Sequence, residues 1–266
     1  LRWLRLLWLS LVLCVASPLG GRYVYRESIN LIANSICPYC SILMVKGENL
    51  PNSRSVEHLV PNIVLTKKRN NGEGDFYACR KCNSEKGTLD EIFGLMAKFQ
   101  SDNTELAVNA LIRAFTKREN VPQRYWDMYD SAQEKNGQIV AKMPVYGHEL
   151  LEYAKFFGKG LYFIKHGRVF NENRQVMHIR FFNKQVHMNH AKHYEKTYSS
   201  NPIKDLESNP RSWVIAEDEC LIWSKNNKFM IIFHHFISFS IKFKSRNRKT
   251  LTQQRDLENS LLSDFK

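Results

Sequence analysis

The sequence of 266 residues lacks an internal repeat, and no segment after residue 21 resembles a membrane span. A repeat architecture and a bundle of membrane helices are therefore not expected. Acidic residues are scarce, with 26 Asp and Glu against 39 Lys and Arg, which gives a formal net charge of +13. This excess suits a polyanionic partner, either nucleic acid or an anionic membrane surface. Hydrophobic residues make up 43% of the chain, which is ample for a packed core and excludes a disordered protein.

Cysteines are also few, and four of the six form two Cys-x-x-Cys pairs at 37–40 and 79–82. This pattern favours a metal site in a reducing compartment over a disulfide framework. Two intervening residues let one tight turn direct both sulfurs at one ion, and four thiolates satisfy zinc with no open position. We therefore predict a structural zinc site, with accidental pairs of free buried cysteines as the alternative. Its ligands would be Cys37, Cys40, Cys79 and Cys82.

The N-terminal segment at residues 1–20 is apolar and resembles a secretory signal peptide, with Arg2 and Arg5 ahead of an apolar run. The run is too short for a transmembrane helix. A true signal peptide would make the protein a secreted one. The paired cysteines instead indicate a cytoplasmic protein, and no stable membrane partner is expected.

Helical patterns dominate the middle of the chain. A helix is predicted over residues 23–35, and another begins at Thr88, where Thr88 and Glu91 match a capping box. Two further helices are predicted over residues 104–117 and 123–134. A domain boundary is expected near residues 135–142, which separates residues 21–135 from residues 136–266.

The last half of the sequence has a mixed α/β texture. A helix over residues 148–157 is expected to stop at Gly158, and residues 161–170 resemble a hairpin that turns at His166 and Gly167. Residues 176–182 and 237–244 are predicted strands, the second an edge or half-buried strand because it alternates apolar and polar residues. The fold class is therefore α+β.

Between the cysteine pairs, the segment RSVEHLVP at residues 54–61 places Glu57 directly before His58. A carboxylate can bind a hard divalent cation, and an imidazole can accept a proton from water near neutral pH. An exposed Glu-His dipeptide before a turn is the simpler interpretation of this segment alone.

The combined pattern resembles the zinc-containing branch of the HNH endonuclease family, of the His-Me finger type. The pattern is Cys-x-x-Cys, Glu-His-hydrophobic-x-Pro and Cys-x-x-Cys-Asn-x-x-Lys-Gly, and it covers roughly residues 30–95. Its matching residues are Cys37, Cys40, Glu57, His58, Pro61, Cys79, Cys82, Asn83, Lys86 and Gly87.

The resemblance implies a ββα-metal finger, in which a β-hairpin and a helix enclose one divalent metal beside a four-cysteine zinc knuckle with flanking helices. It places His58 at the general-base position and Glu57 and Asn83 at the positions of the catalytic metal ligands. The implied cofactors are Zn²⁺, as a structural ion, and Mg²⁺ or another divalent cation for catalysis. Lys86 is a candidate phosphate contact.

One departure from the family concerns the asparagine that usually precedes the second cysteine pair and orients the histidine. Gly74 or Asp75 stands there, with Asn70 and Asn71 slightly earlier, so the orienting residue of His58 stays unassigned.

The resemblance implies a metal-dependent endonuclease that hydrolyses phosphodiester bonds in nucleic acid, with DNA as the expected substrate and partner. The alternative is a non-catalytic zinc-knuckle protein that binds nucleic acid. Residues 136–266 are a candidate nucleic-acid-binding region. Within them, His187, His190 and His193 are spaced too widely around a helix to converge on one ion, and the basic run at 242–255 suits either a phosphate backbone or a solvated tail.

Overall fold

The computed structural model describes residues 31–246, apart from residues 48, 67, 71–72, 100, 102, 117–119, 136–137, 210–211, 216–218 and 235–236. The signal-like segment at 1–20 lies outside the described residues, as does most of the basic run at 242–255. Of the helix predicted over residues 23–35, only residues 31–35 are described. These five residues are not helical, and Ile32 instead forms a parallel bridge with Phe76.

A short antiparallel hairpin and a long helix follow the first cysteine pair. Strand β1 (Arg54–Glu57) pairs with strand β2 (Phe76–Cys79), with Glu57 opposite Phe76, and helix α1 (Arg80–Phe99) begins directly after β2. The predicted helix start at Thr88 is wrong. Thr88 lies inside α1, where its hydroxyl donates to the Ser84 carbonyl at 3.4 Å and does not cap a helix end.

Two shorter helices and a small hairpin follow α1. Helix α2 (Thr104–Thr116) and helix α3 (Gln123–Asp130) pack against α1 through Leu95, Ala110 and Met128. Helix α3 ends at Asp130 and not at residue 134, because the chain from residue 133 forms a strand. This strand, β3 (Gln133–Lys135), pairs with strand β4 (Gln138–Val140).

Helix α4 (Gly147–His166) runs through two elements that the sequence analysis predicts as separate, so the predicted stop at Gly158 and the hairpin at 161–170 are both wrong. The glycines allow close packing instead. A Cβ on Gly158 would lie 2.2 Å from Met177 Sδ, and one on Gly160 would lie 2.4 Å from Leu59 Cδ1. The helix ends at Gly167, whose φ of 64° is the left-handed conformation favoured after a helix C-terminus.

A five-stranded antiparallel sheet forms most of the rest of the described chain. Its strands are β5 (Gln175–Phe182), β6 (Ser212–Ile215), β7 (Cys220–Lys225), β8 (Lys228–Phe233) and β9 (Ile237–Ser245). They lie in the order β5-β9-β8-β7-β6. Helix α5 (Lys184–Tyr198) and helix α6 (Pro202–Glu207) connect the two edge strands, and Asn183 and Asn201 cap their first turns.

Strand β9 is a central strand, so the prediction of an edge strand is wrong, and the strand is half-buried only in its last part, where Lys242 and Lys244 are exposed. It lies between β5 and β8, and its serines Ser238 and Ser240 are buried. The prediction of a mixed α and β fold is confirmed. Among the described residues, no helix has the length and apolarity needed to span a bilayer.

One hydrophobic core joins the two sides of the predicted boundary at 135–142. Phe93 of α1 lies 4.6 Å from Tyr153 of α4, 5.1 Å from Phe233 and 5.3 Å from Phe239, measured between ring centroids. Phe93 is 2% exposed. The sheet of the second half therefore covers the helix that carries Asn83 and Lys86.

Phe93→Ala is expected to lower the free energy of unfolding by about 3–5 kcal/mol, because it empties a buried aromatic site that joins α1, α4 and the sheet. Urea unfolding followed by far-UV circular dichroism measures this change. The control Tyr129→Ala removes a ring that is 66% exposed, and its effect should stay within about 0.5 kcal/mol. Equal effects of the two substitutions would contradict a shared core.

Candidate functional site

The four predicted zinc ligands lie together in the structure. The Sγ atoms of Cys37, Cys40, Cys79 and Cys82 are all within 4.8 Å of one another, and Cys40 Sγ is 3.7 Å from Cys79 Sγ. Tetrahedral zinc with bonds of about 2.3 Å requires sulfurs about 3.8 Å apart. The cluster therefore fits one tetrahedral ion, and among the described residues it is the only group of three or more such ligands.

Local backbone structure explains why the cysteines converge. Residues 37–41 form a tight turn, in which Ser41 N donates to the Cys37 carbonyl at 2.9 Å and Ser41 has a φ of 65°. Cys79 ends β2 and Cys82 lies in the first turn of α1. The backbone amide of Cys79 also donates to Cys37 Sγ at 3.3 Å, which favours a thiolate at Cys37.

The thiols share protons unequally. The Cys82 thiol donates to Cys37 and lowers the pKa of Cys37 to about 5, while the pKa of Cys82 itself is raised by that bond. Burial raises the pKa of Cys79 to about 11. Zinc binds thiolates, so its binding would displace the remaining protons, and its affinity would fall at low pH.

The two predicted catalytic-metal ligands lie between β1 and α1. Glu57 is the last residue of β1, and Asn83 lies near the start of α1, where its Nδ2 donates to the Val56 carbonyl at 3.1 Å and to Ser55 Oγ at 2.5 Å. Asn83 thus binds the backbone one residue before Glu57. The side chains of Glu57 and Asn83 both lie at the β1–α1 contact.

Glu57 is held in a buried ion pair. Its side chain is 1% exposed, Oε1 lies 2.9 Å from Lys86 Nζ, and the Tyr39 hydroxyl donates to the same oxygen at 3.1 Å. Glu57 Oε2 is buried and has no hydrogen-bond partner. Burial raises the pKa of Glu57 to about 7, although Lys86 opposes the shift.

Lys86 lies at the centre of this network and not at the surface. Its side chain is 1% exposed, and its ammonium contacts Asp90 at 3.1 Å and the His58 carbonyl at 3.2 Å, in addition to Glu57. Burial alone would lower the pKa of Lys86, but the two carboxylates raise it. The charge of Lys86, for which a phosphate contact was predicted, is thus directed inward and is paired with two carboxylates.

His58 follows β1 and is partly exposed, in contrast to Glu57. Its Nε2 lies 3.3 Å from the Asn70 carbonyl. Burial and the neighbouring Arg69 guanidinium lower the pKa of His58, so its imidazole is neutral at neutral pH. The segment between the strands thus positions the ring through a backbone carbonyl.

Asp75 is a functional candidate whose role the sequence left open. Its carboxylate accepts a hydrogen bond from the Leu59 amide at 2.7 Å and pairs with Arg69 at 3.1 Å. Asp75 therefore fixes the backbone just after His58. Gly74 has a different role, because a Cβ there would lie 2.2 Å from Val56 Cγ1.

One histidine of α5 contacts the five-stranded sheet. His187 is largely buried, its Nε2 lies 2.6 Å from Ser238 Oγ, and burial lowers its pKa to about 4. His187 is therefore a core histidine bound to β9.

Comparison with known proteins identifies no relative, because no model of a protein family, no curated protein and no solved structure matches this chain.

Purified protein is expected to contain one zinc ion per chain, and Cys37→Ser should lose it. Structural zinc contributes directly to folding, and a loss of about 3 kcal/mol would lower Tm by roughly 10 °C in a chain of this size. Elemental analysis and thermal unfolding under reducing conditions measure both quantities. Cys220→Ser is the matched control, because Cys220 is buried in β7 outside the cluster and should leave the zinc content unchanged. Folded, reduced parent protein without zinc would contradict the assignment.

Glu57→Gln is expected to change how stability depends on pH. The pKa of Glu57 rises from 4.5 to about 7 on folding, so the folded chain retains a proton that the unfolded chain releases. At low pH this group makes its full contribution to the free energy of unfolding. As the pH rises through about 5–7, the free energy of unfolding falls by an amount on the order of 3 kcal/mol.

Urea unfolding of the parent and of Glu57→Gln between about pH 5 and 8 tests this effect. As the pH rises, the free energy of unfolding of Glu57→Gln should increase relative to that of the parent. Glu85→Gln is the control, because the Glu85 side chain is 54% exposed and its difference should stay constant. Parallel curves for Glu57→Gln and the parent would show that Glu57 titrates normally.

Proposed function

We propose that this protein is a metal-dependent endonuclease of the HNH type that hydrolyses phosphodiester bonds in DNA, with a structural zinc in its cysteine cluster. The observation that carries the proposal is the placement of Glu57 and His58 at the end of β1, in a strand–strand–helix unit closed by the cysteine cluster. Asn83 contributes from the facing helix. This order of elements is the one expected for a ββα-metal finger.

His58 is suited to the role of general base. An imidazole that donates from Nε2 to the Asn70 carbonyl leaves Nδ1 with a lone pair, which can take a proton from an attacking water. Asp75 holds the adjacent Leu59 amide, and Lys86 holds the His58 carbonyl. The backbone on both sides of the base is thereby fixed, so the proton is accepted at a defined position.

The residues around Glu57 fit a divalent cation in their donor chemistry and in their charge. Hard cations prefer oxygen ligands, and Glu57 Oε2 is a buried acceptor without a partner. When both are ionised, Glu57 and Asp90 carry two negative charges against the single positive charge of Lys86. Glu57 and the Asn83 amide would hold the ion. A bound Mg²⁺ supplies stabilisation of negative charge on the leaving oxygen.

A second candidate function is a non-catalytic zinc protein that binds nucleic acid. The observation in its favour is that Glu57 is already paired with Lys86 and is 1% exposed. Metal-dependent nicking of supercoiled plasmid separates the two functions, since both would bind DNA. Under either function, the clustered free cysteines support a cytoplasmic setting, because reducing conditions maintain thiolate ligands.

His58→Ala is expected to lower the rate of plasmid nicking by a factor on the order of 10²–10⁴, because it removes the group that accepts the proton of water. Binding of DNA and zinc should stay unchanged. In the parent, the lowered pKa of His58 keeps the imidazole neutral, so the rate should remain level to below pH 6.5 before it falls.

The control for this test is His193→Ala, which removes an exposed histidine of α5 and should nick at the parent rate. Both variants must retain zinc and the parent circular dichroism spectrum. A folded His58→Ala protein that nicks plasmid as fast as the parent would show that His58 is not the base. No metal-dependent nicking by the parent would favour the non-catalytic function.

A further inference from the structure

One face of the five-stranded sheet carries a row of basic residues. Directly paired residues of an antiparallel sheet lie on the same face. Lys225 pairs with Lys228, Lys228 with Lys242, and Lys242 with His178. This row therefore crosses four strands, β7, β8, β9 and β5, and every position in it is a lysine or a histidine.

The neighbouring rows extend the same charge. Lys244, opposite Val176, and Arg180, opposite Ser240, lie two residues along their strands from the row and so share its face. The six residues His178, Arg180, Lys225, Lys228, Lys242 and Lys244 are called the basic face. Strands β5, β7, β8 and β9 contain no acidic residue.

The positive charges of the basic face repel one another. Burial and the charges of Lys242 and Arg180 lower the pKa of Lys228, and burial and the same neighbours with Lys244 lower that of His178. Within the part of the chain that the structure describes, no carboxylate forms an ion pair with any of the six. Like charges opposite each other destabilise a sheet, so their clustering is better explained by a ligand than by folding.

Other described parts of the sheet are covered. The opposite face contributes Phe229, Ile241 and Phe243 to the core that contains α4. At the apolar end of the face that bears the basic residues, Leu206 and Ile203 of α6 pack with Trp223 and Ile232. The basic face is therefore the part of this surface left open, and His178, Arg180, Lys242 and Lys244 are exposed.

The dimensions suit the backbone of a nucleic acid duplex. Four adjacent strands spaced about 4.8 Å apart place the ends of the row roughly 14 Å apart. This distance is close to the width of about 12 Å of the major groove of B-DNA, which separates two phosphate backbones. An anionic membrane surface fits less well, because stable binding there commonly adds inserted apolar side chains to the attraction between charges, whereas the exposed residues of the basic face are lysine, arginine and histidine.

We propose that the basic face binds the phosphate backbone of duplex DNA, at a surface separate from the nuclease site; the choice of DNA rests on the proposed function. The sheet lies between this surface and helix α4, so DNA bound there does not contact His58 through the same side chains. The basic face would raise affinity for DNA without contributing a group to the reaction.

The test compares two variants that lose the same charge. Arg180→Gln/Lys242→Gln/Lys244→Gln removes three exposed cations of the basic face. Lys46→Gln/Lys142→Gln/Lys155→Gln removes three lysines elsewhere on the surface. Fluorescence anisotropy with a labelled DNA duplex is measured between roughly 50 and 200 mM salt, and zinc content and thermal unfolding confirm that both variants fold.

The basic-face variant should bind at least about 10-fold more weakly at low salt. The slope of log K against log salt should decrease in magnitude by about 2.7, because three phosphate contacts are lost. The control variant should keep nearly the parent slope. Equal weakening of both variants, unchanged binding of the basic-face variant, or absence of duplex binding by the parent would each overturn the proposal.

Two further arms separate the alternatives. In the first, binding to vesicles of phosphatidylserine and phosphatidylcholine is measured for the parent and the basic-face variant. If the variant loses binding to vesicles while its binding of DNA is unaffected, the surface belongs to a membrane and the proposal is overturned. His58→Ala should bind the duplex as the parent does. If the parent does not nick DNA but the basic-face variant still loses affinity and salt dependence, the proposed nuclease function fails and the binding surface stands.

Discussion

The buried ammonium of Lys86 is the interaction on which the organisation of the site depends. It joins Glu57 at the end of β1, the His58 carbonyl and Asp90 of its own helix, and Asp90 accepts a further hydrogen bond from Tyr153 of α4 at 2.7 Å. Removing one partner of a buried ion pair typically costs about 3–5 kcal/mol, because the remaining charge is uncompensated. The hairpin, α1 and α4 therefore all contribute a side chain or a carbonyl to the network around this one charge. With Glu57 directed inward, His58 is left at the surface beside it.

The sequence predicted the parts of the site that depend on short-range spacing. The first cysteine pair lies on a tight turn over residues 37–41, and the second pair joins the end of β2 at Cys79 to the first turn of α1 at Cys82. The inward position of Lys86 could not be predicted, since lysine is rarely buried and its two acidic partners lie on different elements. The same holds for Asp75, which lies just before β2 and accepts a hydrogen bond from the Leu59 amide just after β1.

The errors in secondary structure have a common physical origin in long-range packing. Gly158 indicates a helix stop when only its chain neighbours are considered, but Gly158 and Gly160 are both required where α4 approaches Met177 and Leu59. Strand β9 alternates apolar and polar residues as an edge strand would. Its serines are nevertheless buried at 0% and 5% exposure, and Ser238 is covered by His187 of α5. In each case a partner distant in sequence decides the structure, and propensity and periodicity do not include that partner.

The shared core also changes how the two halves of the chain relate to function. A nuclease unit ending near residue 135 would leave Phe93 without Tyr153, Phe233 and Phe239, and Asp90 without Tyr153. The sheet is therefore a structural support of the candidate site on one face, whatever its other face binds. The charged residues of the sheet lie on its open face, and the aromatic residues that pack against α1 and α4 lie on its covered face. Substitutions on the open face can therefore alter the proposed affinity for DNA while the core stays intact. The proposed catalysis and the proposed binding of DNA should therefore be separable by point substitution, whereas truncation near residue 135 would disturb the core that supports the candidate site.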